Sequence, residues 1–233
     1  MPPKSKPRFG HLIALVGCDG SGKSTLSHDL VRLLGRNRKT SYGYLGLGSG
    51  DLGRRIGKWP VIGKMLEKKL THKAKKTRTK GEKIPGFITA CVVFAFSLLR
   101  LERFERVKHA VEGGDLVITD RYPQNEVPGH CDGPGLSAAK TNNPLIRLLA
   151  RIERLFYKKM ADFTPDLVIF LKVDAETALQ RKPDHDKEAL QTKIDIMPNL
   201  TFNGAPKKTI DATQPYEKVR QDVITALQRA KFL

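Results

Sequence analysis

Leu12-Ile13-Ala14-Leu15-Val16-Gly17-Cys18-Asp19-Gly20-Ser21-Gly22-Lys23-Ser24-Thr25-Leu26 decides the fold. With His11, its first five residues form a short apolar run that stops at a glycine-rich turn, the mark of a buried strand. Gly17 to Ser24 then fits the pattern G-x-x-x-x-G-K-[ST], whose glycines let backbone N–H groups turn inward around phosphate oxygens. Leu26, Leu30, Leu33 and Leu34 follow at helical spacing, and Gly35 suits the stop of that helix. A phosphate cradle between a buried strand and a helix N-terminus also gains the positive end of the helix dipole. In this setting Lys23 reaches the β- and γ-phosphates and the Ser24 hydroxyl holds Mg²⁺.

The same alternation continues along the chain. Further strands are predicted at Ser41–Leu47, Asp115–Asp120, Leu167–Leu171 and Lys208–Asp211. Helices are predicted at Phe87–Glu112, stopped by Gly113-Gly114, and after Asn143-Pro144, with Leu145, Leu148, Leu149, Ile152, Leu155 and Phe156 on one face. A last helix opens at Pro215, with Val219, Val223 and Leu227 inward, and Pro123–Asn143 reads as a loop. Apolar strands alternating with helices argue an α/β fold, a five-stranded parallel sheet covered on both faces. Ligands in such sheets bind beyond the strand carboxyl ends. Gly17, Asp120 and Asp174 should therefore converge there. Asp120, about one hundred residues after the loop, suits an acid holding Mg²⁺ through water, and Arg121 can aim its fork at a phosphate.

The 233 residues hold 42 Lys plus Arg against 24 Asp plus Glu, a formal net charge of +18. That excess favours anionic partners. It is concentrated at Lys64–Lys83, where nine Lys or Arg stand beside only Glu67 and Glu82. Weak binding of nucleic acid or of an acidic membrane surface through this segment is an expectation. Cys18, Cys91 and Cys131 form no Cys-x-x-Cys pair, which argues against a zinc site or a disulfide framework. No apolar run has the length of a membrane span or a secretory signal, so a cytoplasmic protein, peripheral at most to a membrane, is expected. Residues 1–10 read as a basic tail and 11–233 as one domain.

These motifs together resemble the thymidylate kinase-like family of P-loop nucleotide kinases. The matches are Gly17 to Thr25, Asp120-Arg121-Tyr122, Pro165 to Leu171 with Val173-Asp174 and Ala178 to Lys182, and Ile210-Asp211-Ala212. The resemblance implies a three-layer P-loop NTPase fold, ATP and Mg²⁺, transfer to a small-molecule phosphoryl acceptor, and a homodimer. Carried over by residue, Gly17, Asp19, Gly20, Ser21, Gly22, Lys23, Ser24, Thr25 and Ala212 would bind nucleotide, and Ser24 and Asp120 the metal. Lys23, Asp120, Arg121 and Arg181 would act in catalysis. Asp19, Arg100 (with Arg103 competing) and Arg121 would face the acceptor, and Asp132, outside the family pattern, could accept from acceptor hydroxyls or simply form a tight turn. A lid would span about 181–197, with Arg181, Lys182, Lys187 and Lys193 as its cations.

The sequence departs from the family at two places. The stretch Leu45 to Gly50 lacks the Arg-Glu-Pro-Gly element that binds an acceptor phosphate, and Pro123 to Gly129 replaces the thymine-facing segment. Thymidylate is therefore not expected as the preferred acceptor. A different nucleotide, a nucleoside or another hydroxylated molecule fits the residues. The alternative function is an ATP-dependent nucleic-acid-binding protein or a polynucleotide-end kinase. Against it, the basic segment carries no aromatic residue for base stacking.

Overall fold

Strand β1 (His11–Val16) is buried along nearly its whole length, and only a strand paired on both sides buries an apolar run so completely. It pairs in parallel with β3 (Leu116–Asp120) on one side and β4 (Leu167–Lys172) on the other. The edge strands are β2 (Thr40–Tyr44) and β5 (Lys207–Asp211), giving the order β2-β3-β1-β4-β5. The computed structural model describes residues 9–47, 86–138 and 140–233. The basic segment 64–83 and most of the N-terminal tail lie outside the described residues.

Helices among the described residues are α1 (Lys23–Leu34), α2 (Phe87–Glu112), α3 (Pro144–Ala161), α4 (Ala175–Arg181), α5 (Lys187–Ile196) and α6 (Tyr216–Arg229). Leu26, Leu30 and Leu34 of α1 and Val219, Val223 and Leu227 of α6 cover Ile13, Leu15, Ile118, Ile169 and Ile210 on one sheet face. On the other face a Cβ at Gly43 would stand 2.5 Å from Val107 Cγ2, so this glycine lets α2 approach β2 closely. The expected parallel sheet with helices on both faces is what the chain forms. Five strand bounds differ from the prediction: β2 starts one residue earlier and ends three earlier, β3 starts one later, β4 ends one later and β5 starts one earlier. β2 ends at Tyr44 rather than Leu47, because its partner β3 ends at Asp120, level with Tyr44, and the Leu45 N–H on the Asp120 carbonyl is the last rung between them. β5 begins one residue earlier than predicted, at Lys207, which pairs with Val168.

The chain divides into two compact units. The first takes the chain up to Leu45, Glu102–Pro123 and Ala161–Leu233, and so contains the whole sheet. The second takes Gly46–Leu101 and Gln124–Met160. Its small core joins Ala90 of α2, Leu136 and Ile146 of α3, with Val93, Phe94 and Leu149 packed against them. Gln124, fully buried, closes its loop by accepting from the N–H groups of Glu126 and Val127 and donating to the carbonyls of Val127 and His130. The predicted inward face of α3 needs correction: Leu145, Leu148 and Leu155 are 56%, 51% and 60% exposed. Helical spacing put them beside the true core residues Ile146, Glu153, Tyr157 and Met160, which hold a narrower stripe. No helix among the described residues is long and apolar enough to cross a membrane.

Candidate active site in the sheet-bearing unit

The register sets the site. Leu15 on β1 and Tyr44 on β2 are both level with Asp120, the last residue of β3. The loop after β1 and the acid ending β3 therefore leave the sheet at the same edge. Gly20 and Gly22 hold φ of 88° and 86°, a region that favours glycine. A Cβ on Gly20 would also sit 2.6 Å from the Ala178 carbonyl oxygen of α4. Gly22 is the N-cap of α1 and brings no side-chain cap. The first N–H groups of α1 are thus left for a ligand.

Lys23 is almost fully buried and folds back over its own loop. Its ammonium donates to the Cys18 carbonyl at 2.6 Å and to Ser21 Oγ at 3.2 Å. Burial, reinforced by the Arg121 guanidinium, pushes its pKa down to about 8. Next to it, the Ser24 hydroxyl donates to Asp120 Oδ2. Asp120 is 1% exposed, and its Oδ1 is buried with no partner among the described residues. An orphaned carboxylate oxygen beside a serine hydroxyl is a donor set that suits a hard divalent cation. Thr25 follows on the exposed side of the first turn of α1.

Asp19 gathers the cations. Its Oδ1 accepts from Arg121 Nη2 and its Oδ2 from Lys193 Nζ on α5, while His185 Nε2 stands 4.0 Å from Oδ2. Burial pushes the Asp19 carboxyl up, but Arg121, Lys193 and Lys23 outweigh it and hold the acid well below the usual carboxylate range. Arg121 sits at φ 72°, a strained region for a residue with a side chain, fixed by its N–H on the Leu15 carbonyl. Such strain concentrates at functional sites. Arg181, at the end of α4, donates to the carbonyls of Ala212 (2.9 Å) and Gly20 (3.4 Å). It helps line a small hollow with Ser21, Leu26, Ala212, Gln214 and Tyr216. The Tyr216 hydroxyl donates to Asp29 of α1 and ties this wall to the phosphate-loop helix.

The structure thus brings Gly17 to Ser24, Asp120, Arg121, Lys193, Arg181 and Ala212 to one end of the sheet. Asp174 does not join them. It caps α4 by accepting from the Thr177 N–H at 2.7 Å and stays exposed. Lys182 and Lys187 are exposed. Arg100 and Asp132 lie in the second unit and meet each other there. Arg100, 1% exposed, donates to the Asp132 carboxylate (2.8 Å), the Asp132 carbonyl (2.9 Å) and the Tyr157 hydroxyl (2.9 Å). Cys131 and Asp132 hold φ of 48° and 65°, a tight turn that aims both Asp132 oxygens at the arginine. Arg103 lies over the Tyr44 ring. His185 and Tyr216 were not marked by the sequence, because no motif singles them out and their partners Asp19 and Asp29 are distant in the chain.

Three relatives and one solved structure locate the chain among known proteins. It is 41% identical over 217 residues to YghR of Escherichia coli (strain K12), an uncharacterized ATP-binding protein, covering 93% of this chain and 86% of that one. It is 43% identical over 220 residues to YghS of the same strain, also an uncharacterized ATP-binding protein, covering 94% and 93%. A thymidylate kinase of Chlamydia felis is 25% identical over 171 residues, 73% of this chain and 69% of that one. A deoxyadenosine kinase from M. mycoides, solved with products, superposes with a TM-score of 0.56 at 16% identity, covering 94% and 99% of the two chains. That likeness shows a shared fold. No protein-family profile matches the chain.

Proposed function

We propose that this chain, which belongs to the family of ATP-binding proteins that includes YghR and YghS and is a divergent thymidylate kinase-like P-loop protein, is an ATP-dependent phosphotransferase. Its acceptor is a small nucleotide, nucleoside or other hydroxylated molecule. The observation that carries this reading is the grouping of Lys23, the Ser24–Asp120 pair and the Arg121–Asp19–Lys193 cluster at one end of a parallel sheet.

Phosphoryl transfer needs positioning and charge neutralisation more than covalent chemistry from the protein. The N–H groups of the loop and of the first turn of α1 bind the phosphate oxygens, and Lys23 exchanges its two neutral acceptors for the β- and γ-phosphates. The hollow beside Arg181, Ala212 and Tyr216 takes the adenine end. Ser24 and Asp120 would hold Mg²⁺, which supplies further neutralisation of phosphate charge when bound. Arg121 and Lys193 stabilise charge on the group in flight. Asp19 faces the acceptor, orienting a hydroxyl once the two cations turn to phosphate.

Thymidylate is not the preferred acceptor on this reading. The chain lacks the Arg-Glu-Pro-Gly arginine, a charge-assisted contact worth roughly 1.5–3 kcal/mol. Coupled ADP-release assays over nucleosides, nucleoside monophosphates and sugars test both statements. Acceptor-dependent ADP release with a kcat/KM for some acceptor above that for thymidylate is expected. A kcat/KM highest for thymidylate would refute the acceptor assignment, and no acceptor-dependent release across such a panel would refute the activity.

A further inference from the structure

A hydroxyl acceptor loses its proton as its oxygen attacks, whereas a phosphate acceptor needs no base. The two carboxylates of the site receive such a proton poorly. Asp120 accepts from Ser24, and its other oxygen suits a cation. Asp19, despite the upward push of burial, is held by Arg121, Lys193 and Lys23 well below the usual carboxylate range, which makes it a weak base. His185 is the group beside them with no part in the reaction so far. It lies in the turn between α4 and α5, half-buried, with its backbone N–H on the Lys182 carbonyl at 3.3 Å. Its ring Nδ1 is 3.1 Å from Asp184 Oδ1, and its Nε2 is 4.0 Å from Asp19 Oδ2.

The partners of the ring fix its tautomer. Asp184 is held below its ordinary carboxyl value by the His185 ring and the backbone, so it is ionised and only accepts. Nδ1 therefore carries the hydrogen, and in the neutral ring Nε2 turns its lone pair toward Asp19. The 4.0 Å between Nε2 and Asp19 Oδ2 is too long for a direct hydrogen bond, and in this tautomer neither atom has a hydrogen for the other. Two hydroxyl groups of one molecule supply a donor to each. We propose that His185 is the general base of the transfer, and that the acceptor reacts through a hydroxyl group rather than a phosphate. This inference rests on the phosphotransferase reading. The reacting hydroxyl donates to His185 Nε2, and a second hydroxyl donates to Asp19. As the acceptor oxygen bonds to the γ-phosphorus, the bond from that phosphorus to the β–γ bridging oxygen breaks. ADP leaves with the electron pair, and the hydroxyl proton passes to Nε2. Asp184 steadies the resulting imidazolium through Nδ1–H, the role of the third group behind an activating base. The other charged groups around the ring are Lys182 of its own turn and the Lys193 and Arg121 that share Asp19. The lack of the Arg-Glu-Pro-Gly arginine at Leu45 to Gly50 agrees, since a phosphate acceptor calls for that cation.

Steady-state kinetics of His185→Ala and His185→Gln across pH test this, with the best acceptor from the ADP-release panel. Both variants should lower kcat by about 10²–10⁴-fold, the usual contribution of a positioned base, with ATP affinity and thermal unfolding unchanged. The wild-type kcat should fall toward acid pH between about pH 8 and 5, where histidine changes charge, and the variants should lose that limb. Added imidazole should restore part of the His185→Ala rate and leave the wild type unchanged. A variant with the wild-type kcat and pH profile overturns the proposal and leaves the phosphotransferase reading standing. So does a wild type that transfers only to phosphate groups. A lowered kcat that keeps the acid limb and gains nothing from imidazole also overturns it, by giving His185 a structural part in the turn. No acceptor-dependent ADP release from the wild type refutes the phosphotransferase reading, and this inference falls with it.

Discussion

Lys23 in the first unit and Arg100 in the second are both buried cations, and their surroundings differ. Lys23 is met by a carbonyl and a hydroxyl and accepts its burial with a pKa pushed down to about 8. Arg100 has a carboxylate, a carbonyl and a phenol arranged around its fork. The first cation is short of an anion and the second already has one. A buried charge that lacks its counterion is a place where an arriving anion gains most, whereas a saturated pair holds structure. The proposed function draws on the first kind of cation, and the Arg100–Asp132 pair ties α2 to the turn at Cys131–Asp132 within the second unit.

The largest expected effect is on the exchangeable side. Arg121→Ala should lower turnover by about 10³–10⁵-fold, the range for an arginine acting on transferring phosphate, while ATP affinity falls less than about tenfold. Alanine replaces a residue that is already non-glycine at φ 72°, so the backbone penalty is unchanged. Single-turnover kinetics beside equilibrium titration separate the two quantities. If affinity and turnover fall together, Arg121 belongs to the ATP cradle rather than to the moving group.

Arg100→Met should destabilise the fold by about 3–5 kcal/mol, because it leaves the Asp132 carboxylate without its buried partner. Denaturant unfolding checks this. A stable Arg100→Met protein with a raised KM for the acceptor would move Arg100 to the exchangeable class, as the family resemblance first suggested.

Lys23 gives a pH signature of smaller size. The unfolded lysine keeps its proton up to about pH 10.4, and the folded one releases it near 8. Between these values the unfolded state binds more protons, so stability of the ligand-free chain rises with pH. The rise amounts to at most on the order of 3 kcal/mol. Thermal unfolding from mildly alkaline pH upward should show it in the wild type, and Lys23→Met should remove that component. An identical slope in the variant would mean that Lys23 is not desolvated.

The smallest effect concerns an acid that only appeared to belong to the site. Asp174→Ala removes the α4 cap and should cost about 1 kcal/mol of stability with kinetics unchanged. A turnover defect larger than the stability loss would return Asp174 to the catalytic group.

The phosphate loop was readable because its chemistry needs glycines and a lysine at fixed spacing, and the flanking strand and helix repeat their own periods. Asp120 was readable because an acid closing a buried strand has few other uses. Lys193 could be named only as one of four lid cations. What singles it out is its contact with Asp19, a partner 174 residues away that no local pattern encodes. The pairing of Arg100 with Asp132 was hidden for the same reason, and so was the Tyr216–Asp29 tie. On α3, periodicity marked an apolar side, but the core takes the neighbouring stripe Ile146, Glu153, Tyr157 and Met160, none of which stands on the predicted face. Leu148 and Leu155 satisfy the helical pattern whether or not anything packs on them.

The most direct measurement follows the γ-phosphate itself, by ³¹P NMR of ATP, Mg²⁺ and the best acceptor with wild type and with folded Lys23→Ala. The wild type should yield ADP and a new phosphoryl signal on the acceptor in equal amounts. Lys23→Ala, with unfolding and circular dichroism like the wild type, should yield neither at a detectable rate. Transfer by Lys23→Ala at the wild-type rate would contradict the assignment of this site to phosphoryl transfer.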